Sequence, residues 1–108
     1  MNCEPYDHFF TNLANRVNIQ IILLLKNGPL NVKSITEKTG REQSAISHNL
    51  RRMHDCNIVT VEQRGRERYY SLNYEFILPI LDLVDNHAQE NCRNCSAYIK
   101  REELKQRA

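Results

Sequence analysis

The 108-residue sequence contains only three glycines, three prolines and no tryptophan. Three scattered glycines cannot form a glycine-rich loop that wraps a phosphate with backbone N–H groups. No pair of carboxylates, and no nucleophile beside a base, stands in a recognisable catalytic setting. We therefore expect the protein not to be an enzyme.

The chain also lacks a long apolar run and a strong excess of one charge. Its longest apolar run, residues 21–25, is far shorter than the roughly 20 residues that a membrane-spanning helix needs. Residues 1–7 are polar and lack the basic and then apolar order of a secretory signal. We expect a cytoplasmic protein with no membrane partner. The net charge of +2, from 15 Lys and Arg against 13 Asp and Glu, decides nothing about partners.

Residues 41–56 form the segment around which the rest of the chain is organised. At 3.6 residues per turn it has an apolar face and a polar face. The apolar face carries Ala45, Ile46, Leu50 and Met53. The polar face carries Gln43, Ser44, Ser47, His48 and Arg51. Residues 32–38 form a short helix before it, and Gly40 suits the left-handed end of that helix. A short helix, a glycine turn and a polar-faced helix make a helix-turn-helix.

Two β-forming segments, residues 58–63 and 67–72, follow this motif. They flank Arg64-Gly65-Arg66, which predicts a β-hairpin with basic residues at its tip. A hairpin in this position is a wing. The predicted fold class is therefore mainly α with a small β-hairpin, a winged helix-turn-helix.

The remaining predicted helices cover residues 6–16, 16–26 and 73–91. The middle one is apolar nearly all round, so we expect it to be central and buried. The last has a wide apolar stripe, and Pro79 should kink its first turns. Since a small domain covered by its other helices has little use for this stripe, we predict a homodimer packed through the first and last helices. Closure of the monomer core by the same stripe is the alternative.

These segments together resemble the ArsR/SmtB family of winged-helix transcriptional repressors, from about residue 9 to residue 90. The resemblance rests on the Leu-rich helix before Asn27-Gly28, on residues 34–40, on residues 43–50 and on residues 64–72. It implies a dimer that places the second helix of the motif in the major groove and releases DNA when a metal or another signal binds. Asn49 departs from the family pattern, in which a histidine usually precedes the leucine.

The predicted function is that of a sequence-specific DNA-binding transcriptional regulator, acting as a repressor. A dimer sets two polar-faced helices in successive major grooves about 34 Å apart, so its double-stranded DNA site should be an imperfect palindrome. Candidates for base contact are Gln43, Ser44, Ser47 and His48. Candidates for phosphate contact are Arg51 and Arg52 on the helix, and the wing residues Arg64, Arg66 and Arg68, which would grip the backbone or the minor groove.

Four cysteines in a reducing compartment are candidates for metal or redox chemistry before structural disulfides. Cys92 and Cys95 form a C-x-x-C pair that can bind zinc or another thiophilic divalent metal, and Cys3 and Cys56 would complete four ligands. A redox disulfide at the C-x-x-C pair is the rival interpretation, and Cys56 alone would also suit a small core position.

The resemblance adds two precedents for metal binding. Some family members pair a cysteine near the end of the DNA-reading helix with cysteines of the partner's tail, and Cys56, Cys92 and Cys95 match those places. Another family site lies on the last helix, where His87 and Glu90 match the later pair of ligands and the earlier pair is missing.

We divide the chain into a flexible arm at residues 1–5, a DNA-binding and dimerisation domain at residues 6–91, and a charged tail with two cysteines at residues 92–108. A winged-helix protein interaction module, or a DNA-binding protein that responds to no signal, is the alternative function. All six cations between residues 41 and 70 are arginines. They favour DNA, because the guanidinium group suits phosphates and guanine edges.

Overall fold

The structure, a computed structural model, describes the backbone of residues 5–91 and the side chains of residues 5–90. Five helices and three strands occur in this range. They are α1 (Pro5–Leu13), α2 (Arg16–Leu25), β1 (Leu30–Asn31), α3 (Val32–Thr39), α4 (Gln43–Asp55), β2 (Val59–Arg64), β3 (Glu67–Leu72) and α5 (Tyr74–Asn91). The predicted helices and hairpin are confirmed. Helix α1 begins at the last residue of the predicted arm, and the predicted tail lies outside the described residues.

Local side-chain and backbone chemistry fixes the helix-turn-helix. Asn31 is the N-cap residue of α3, and its Oδ1 accepts a hydrogen bond from the Ser34 N–H at 2.8 Å. Gly40 caps the other end of α3, directly after Thr39, with φ 69° and its N–H donated to the Thr36 carbonyl at 2.9 Å. A left-handed residue there suits glycine, so the predicted cap and the predicted turn are both confirmed. Helix α4 starts three residues after Gly40.

The three strands form one antiparallel sheet in the order β1-β3-β2. Strands β2 and β3 pair from Val59 opposite Leu72 to Arg64 opposite Glu67. Arg64 therefore belongs to the strand, and the turn is shorter than predicted, with Gly65 and Arg66 at its two central positions. Gly65 has φ 62°, as expected where a two-residue hairpin turn begins with glycine. Strand β1 was not predicted, because two residues show no alternation.

The core of residues 5–77 lies where α2, α3, α4, the start of α5 and the sheet meet. Its apolar side chains are Ile21, Ile22, Leu25, Ile35, Ile46, Leu50, Met53, Ile58, Val59, Tyr70, Leu72 and Ile77. Two predictions about it are wrong in part. Ala45 is exposed, because it precedes Ile46 by a step of roughly 100° around the helix and falls outside the buried stripe. Helix α2 is not buried all round, since Ile19 and Leu23 remain 43% and 38% exposed.

Residues 78–91 belong to a second compact unit, which contains the rest of α5. Pro79 lies inside this helix, and α5 continues past it to Asn91. The kink that we expect there stays a prediction. Leu83 and Val84 are exposed on this part of α5.

The end of α4 is set by a left-handed asparagine. Asn57 has φ 57° and donates its N–H to the His54 carbonyl at 3.0 Å, while Ile58 donates to the Met53 carbonyl at 2.9 Å. These two bonds are the Schellman arrangement, and the buried side chains of Ile58 and Met53 supply the apolar contact that usually accompanies it. The motif stops α4 and turns the chain into β2.

We predict that Asn57→Ala lowers the free energy of unfolding by about 1 kcal/mol, because a Cβ without a compact polar group is disfavoured at positive φ. Asn57→Gly should stay within about 0.5 kcal/mol of the unmodified protein, since glycine reaches this conformation freely. Denaturant unfolding of both variants checks this. Equal destabilisation by glycine and alanine would show that the asparagine side chain, and not the backbone conformation, is what matters.

Candidate nucleic-acid interface

Helix α4 presents a continuous polar face to solvent. Ser44, Ser47, His48 and Arg51 are all exposed, and they share one face because they lie three, four and seven residues apart. Gln43 and Arg52 are also exposed and flank this face. On the opposite side Ile46, Leu50 and Met53 are fully buried. We call these six exposed residues the reading face. A helix of this shape fits the major groove of B-DNA.

A side-chain contact from Arg41 helps to hold the start of α4. Arg41, two residues before the helix, donates from Nε to Gln20 Oε1 at 2.7 Å and so ties the turn to α2. Glu42 is the N-cap residue of α4. Among the described residues, its side chain accepts no hydrogen bond from the first turn of the helix. Sequence reasoning did not select Arg41 as a site residue. Its position in the turn was the available signal.

The wing carries its three arginines in different directions. Arg64 and Arg68 lie on opposite faces of the hairpin, because Arg64 is opposite Glu67 and Arg68 is opposite Gln63. Arg68 shares its face with the buried side chains of Tyr70 and Leu72. The hairpin therefore does not bring these two arginines together.

Arg64 and Arg66 also differ in their surroundings. The Arg64 guanidinium lies 3.2 Å from a Glu62 carboxylate oxygen and 4.7 Å from the centre of the Tyr69 ring. Arg66 is exposed at the turn, which makes it the arginine at the wing tip.

A side-chain network lies on the outer face of the wing. Asn31 Nδ2 donates to Glu67 Oε2 at 3.0 Å, and the Tyr69 hydroxyl donates to the same oxygen at 3.3 Å. Asn31 also caps α3. Its amide thus touches both the helix-turn-helix and the wing. Sequence reasoning identified only the cap, since the bond to Glu67 joins residues 36 positions apart.

Cys56 lies half-buried directly after α4 and is linked to α1. Asn12 Nδ2 donates to Cys56 Sγ at 3.1 Å and to the His8 carbonyl at 3.0 Å. Asn12 and Asn18 are both buried, and Asn18 Nδ2 donates to the Asn12 carbonyl at 2.9 Å. A buried polar group needs such partners, so these bonds join the end of the reading helix to the first helix.

Only some of the predicted metal ligands lie among the residues that the structure describes. Cys3, Cys92 and Cys95 lie outside the described residues. In the part of the chain that the structure describes, no three His, Cys, Asp or Glu side chains come close enough together to hold a metal ion. His87 and Glu90 are both exposed and lie one turn apart on α5.

An open apolar cavity of about 450 Å³ lies beside α1. Its walls combine five side chains of this helix with Cys56 and the ring of Phe76. The lining residues are Pro5, Tyr6, His8, Phe9, Phe10, Cys56 and Phe76. Across the described residues, no helix has the length and apolar character that a membrane span requires.

Comparison with known proteins assigns the chain to a family. Residues 16–61 match the family model described as "Bacterial regulatory protein, arsR family". The arsenical resistance operon repressor of Bacillus subtilis (strain 168) is 32% identical over 79 residues, which cover 72% of this chain and 75% of that repressor. The chain belongs to the arsR family. Its predicted class of function, a DNA-binding transcriptional regulator of winged helix-turn-helix fold, is thereby confirmed.

Two other similar proteins agree with this assignment. The HTH-type transcriptional regulator NmtR of Mycobacterium tuberculosis (strain ATCC 25618 / H37Rv) is 36% identical over 77 residues, covering 71% of this chain and 64% of NmtR. The chain thus spans somewhat less than two thirds of that relative. A solution structure of the homodimeric winged helix-turn-helix DNA-binding domain of Mb0332 from Mycobacterium bovis superposes with a TM-score of 0.76 at 26% identity, covering 86% of each chain.

We predict that Glu42→Asp raises the free energy of unfolding by about 0.5–1 kcal/mol, because the shorter carboxylate can accept a hydrogen bond from the first turn of α4 and glutamate does not. Thermal and denaturant unfolding measure the gain. Glu42→Gln is the matched control, since it keeps the length and adds no cap. An aspartate variant no more stable than the glutamine variant would contradict this prediction.

Proposed function

We propose that this arsR-family protein is a dimeric repressor that reads an imperfect DNA palindrome with α4 and holds the flanking backbone with its wing. The observation that carries the proposal is the reading face, whose six polar side chains are all exposed while the opposite side of α4 is fully buried. A solvated helix face needs no such concentration of hydrogen-bonding groups and arginines. Groove recognition requires both.

The proposed dimer is supported by apolar side chains that the single chain leaves exposed. Helix α1 exposes Tyr6 and Phe10, with Phe10 at 60%, and α5 exposes Leu83 and Val84, with Leu83 at 69%. Pairing of two copies through their first and last helices would remove these groups from water. The Mb0332 domain, a structural relative, is itself described as homodimeric. A two-fold dimer duplicates the reading face, which is why the DNA site should be palindromic.

Within the reading face we assign two kinds of contact. Gln43, Ser44, Ser47 and His48 occupy the first turns of α4 and would face base edges, because the first part of a recognition helix enters the groove most deeply. Arg51 and Arg52 lie further along the helix and would contact phosphates.

The wing arginines are proposed to act unequally. Arg66 stands at the tip and would contact the backbone or the minor groove directly. Arg64 is held by Glu62 and Tyr69, so part of its role is to stiffen the hairpin. Arg68 lies on the other face of the hairpin and would approach the DNA from the side of the helices.

We further propose that a thiophilic metal, zinc or a similar divalent ion, releases the protein from DNA. Cys56 is suited to this role, because it follows the reading helix directly and is bonded to α1 through Asn12. Cys3, Cys92 and Cys95 would supply the remaining thiolates, with His87 and Glu90 as the weaker candidate site. One relative is named as an arsenical resistance operon repressor, which links the family to soft, thiol-binding elements.

In this proposal the protein acts by binding DNA and not by catalysis. Its proposed location is the cytoplasm, where it would meet DNA. A winged-helix protein interaction module remains the rival. Random-sequence DNA that competes as well as the operator would favour a non-specific DNA-binding role, and absence of DNA binding would favour the interaction module.

Arg66→Ala should lower the magnitude of the salt dependence of operator binding, the slope of log K against log salt, by about 0.9 for each wing in contact, hence about 1.8 for a dimer. Fluorescence anisotropy at several salt concentrations measures it. Arg16→Ala is the matched control, since Arg16 is an exposed arginine at the start of α2 and belongs neither to the reading face nor to the wing. An unchanged slope in the Arg66 variant, or an equal fall in both variants, would contradict the wing contact.

Zinc added to the reduced protein should protect thiols from a thiol reagent and weaken operator binding in the same titration. Cysteine thiols lose their protons when they coordinate the metal, and the coordinated thiolates react more slowly with the reagent. Cys92→Ser should abolish protection at low zinc. If all four cysteines remained reactive at saturating zinc, the metal-release proposal would be wrong, and oxidant would be the next signal to test.

A further inference from the structure

We propose that Asn31 is a positioning residue for DNA binding, which fixes the wing against the helix-turn-helix through its hydrogen bond to Glu67. Its side-chain amide has two ends with different partners. Oδ1 accepts from the Ser34 N–H at 2.8 Å and starts α3, while Nδ2 donates to Glu67 Oε2 at 3.0 Å in the wing. The inference rests on the proposed function, because the position of the wing matters only if the wing contacts DNA.

The sheet register places this bond where it can act on the wing. Asn31 is paired with Tyr69 across β1 and β3, so their side chains lie on the same face of the sheet. Glu67 is the next residue towards the tip on that face, diagonal to Asn31 and within reach of a side chain. The Tyr69 hydroxyl donates to the same Glu67 oxygen at 3.3 Å, and Arg64 stacks on the Tyr69 ring.

Backbone pairing alone leaves the outer half of the wing weakly fixed. Strand β1 has only two residues, and its last pair is Asn31 with Tyr69. Beyond Tyr69, residues 67 and 68 of β3 pair with β2 alone within the described residues. A two-stranded ribbon twists easily and is marginally stable by itself. The Asn31 to Glu67 bond extends the attachment by two residues along β3, from Tyr69 to Glu67, which is next to Arg66.

The substitution Asn31→Asp tests the role of Asn31 in the wing separately from its role as the N-cap of α3. Aspartate is as good an N-cap as asparagine, so α3 should keep its start and the melting temperature should change little. The new carboxylate cannot donate to Glu67 and repels it. We expect operator binding to weaken by about threefold or more, the effect of losing one hydrogen bond of ordinary strength. The penalty of Arg66→Ala should shrink in this background, because a displaced wing has less contact to lose.

Glu67→Gln provides the matched background. An amide at position 67 can accept from Asn31, and it can equally donate to a carboxylate at position 31, so Asn31→Asp made together with Glu67→Gln restores the bond with donor and acceptor exchanged. We expect Asn31→Asp to change affinity by less than about twofold in this background. The added negative charge near the DNA is the same in both backgrounds, so general repulsion cancels in the comparison.

The experiment is operator binding by the full chain, measured by anisotropy, for these variants with and without Arg66→Ala. A loss on Asn31→Asp that disappears with Glu67→Gln, together with a reduced Arg66 penalty, is the expected result. Equal losses of affinity in both backgrounds, or an unchanged effect of Arg66→Ala on affinity, would overturn only the proposed role of Asn31 and not the wing contact. An Arg66→Ala variant that binds like the unmodified chain would overturn the wing contact of the proposed function, and the role of Asn31 with it.

Discussion

Burial of one side of α4 is the interaction on which the rest of the molecule depends. Ile46, Leu50 and Met53 are fully buried, and each such side chain contributes roughly 1.5–3 kcal/mol to folding. This anchoring fixes the rotation of the helix about its axis, so the reading face must point to solvent. Left-handed residues bracket the helix, Gly40 in the turn before it and Asn57 at its end. Recognition chemistry is thereby held on a rigid element.

The wing depends on a second and weaker set of constraints. Its base is part of the core, since Val59, Tyr70 and Leu72 are buried, while Gly65 and Arg66 at its tip are exposed. Between base and tip, side-chain contacts take over from core packing. Asn31, Glu67, Tyr69 and Arg64 form a continuous set of hydrogen bonds and ring contacts along one face. Strong anchoring of α4 and lighter anchoring of the wing suit an element that reads bases and an element that follows the backbone.

Features that depend on neighbouring residues were predictable from the sequence. Examples are the Asn31 cap, the Gly40 turn, the hairpin around Gly65 and the polar face of α4, because each follows from local backbone preference or helical spacing. Features that depend on distant contacts were not. Exposure of Ile19 and Leu23, pairing of β1 with β3, the Asn12 bond to Cys56 and the Asn31 bond to Glu67 all require the assembled fold. The residues that would contact DNA and those that would bind a metal are inferred from residue chemistry and family membership, and both sets stay proposals.

Hydroxyl-radical footprinting of the reduced protein on DNA from its own upstream region tests the central proposal most directly, because it shows where each α4 and each wing lies. A two-fold dimer with two reading faces should protect two half-sites related by an imperfect palindrome, with centres about 34 Å apart, or roughly one turn of B-DNA. The wings should add protection at the outer edges. A single protected segment without internal symmetry, or protection that moves freely along the fragment, would contradict a palindrome-reading dimer.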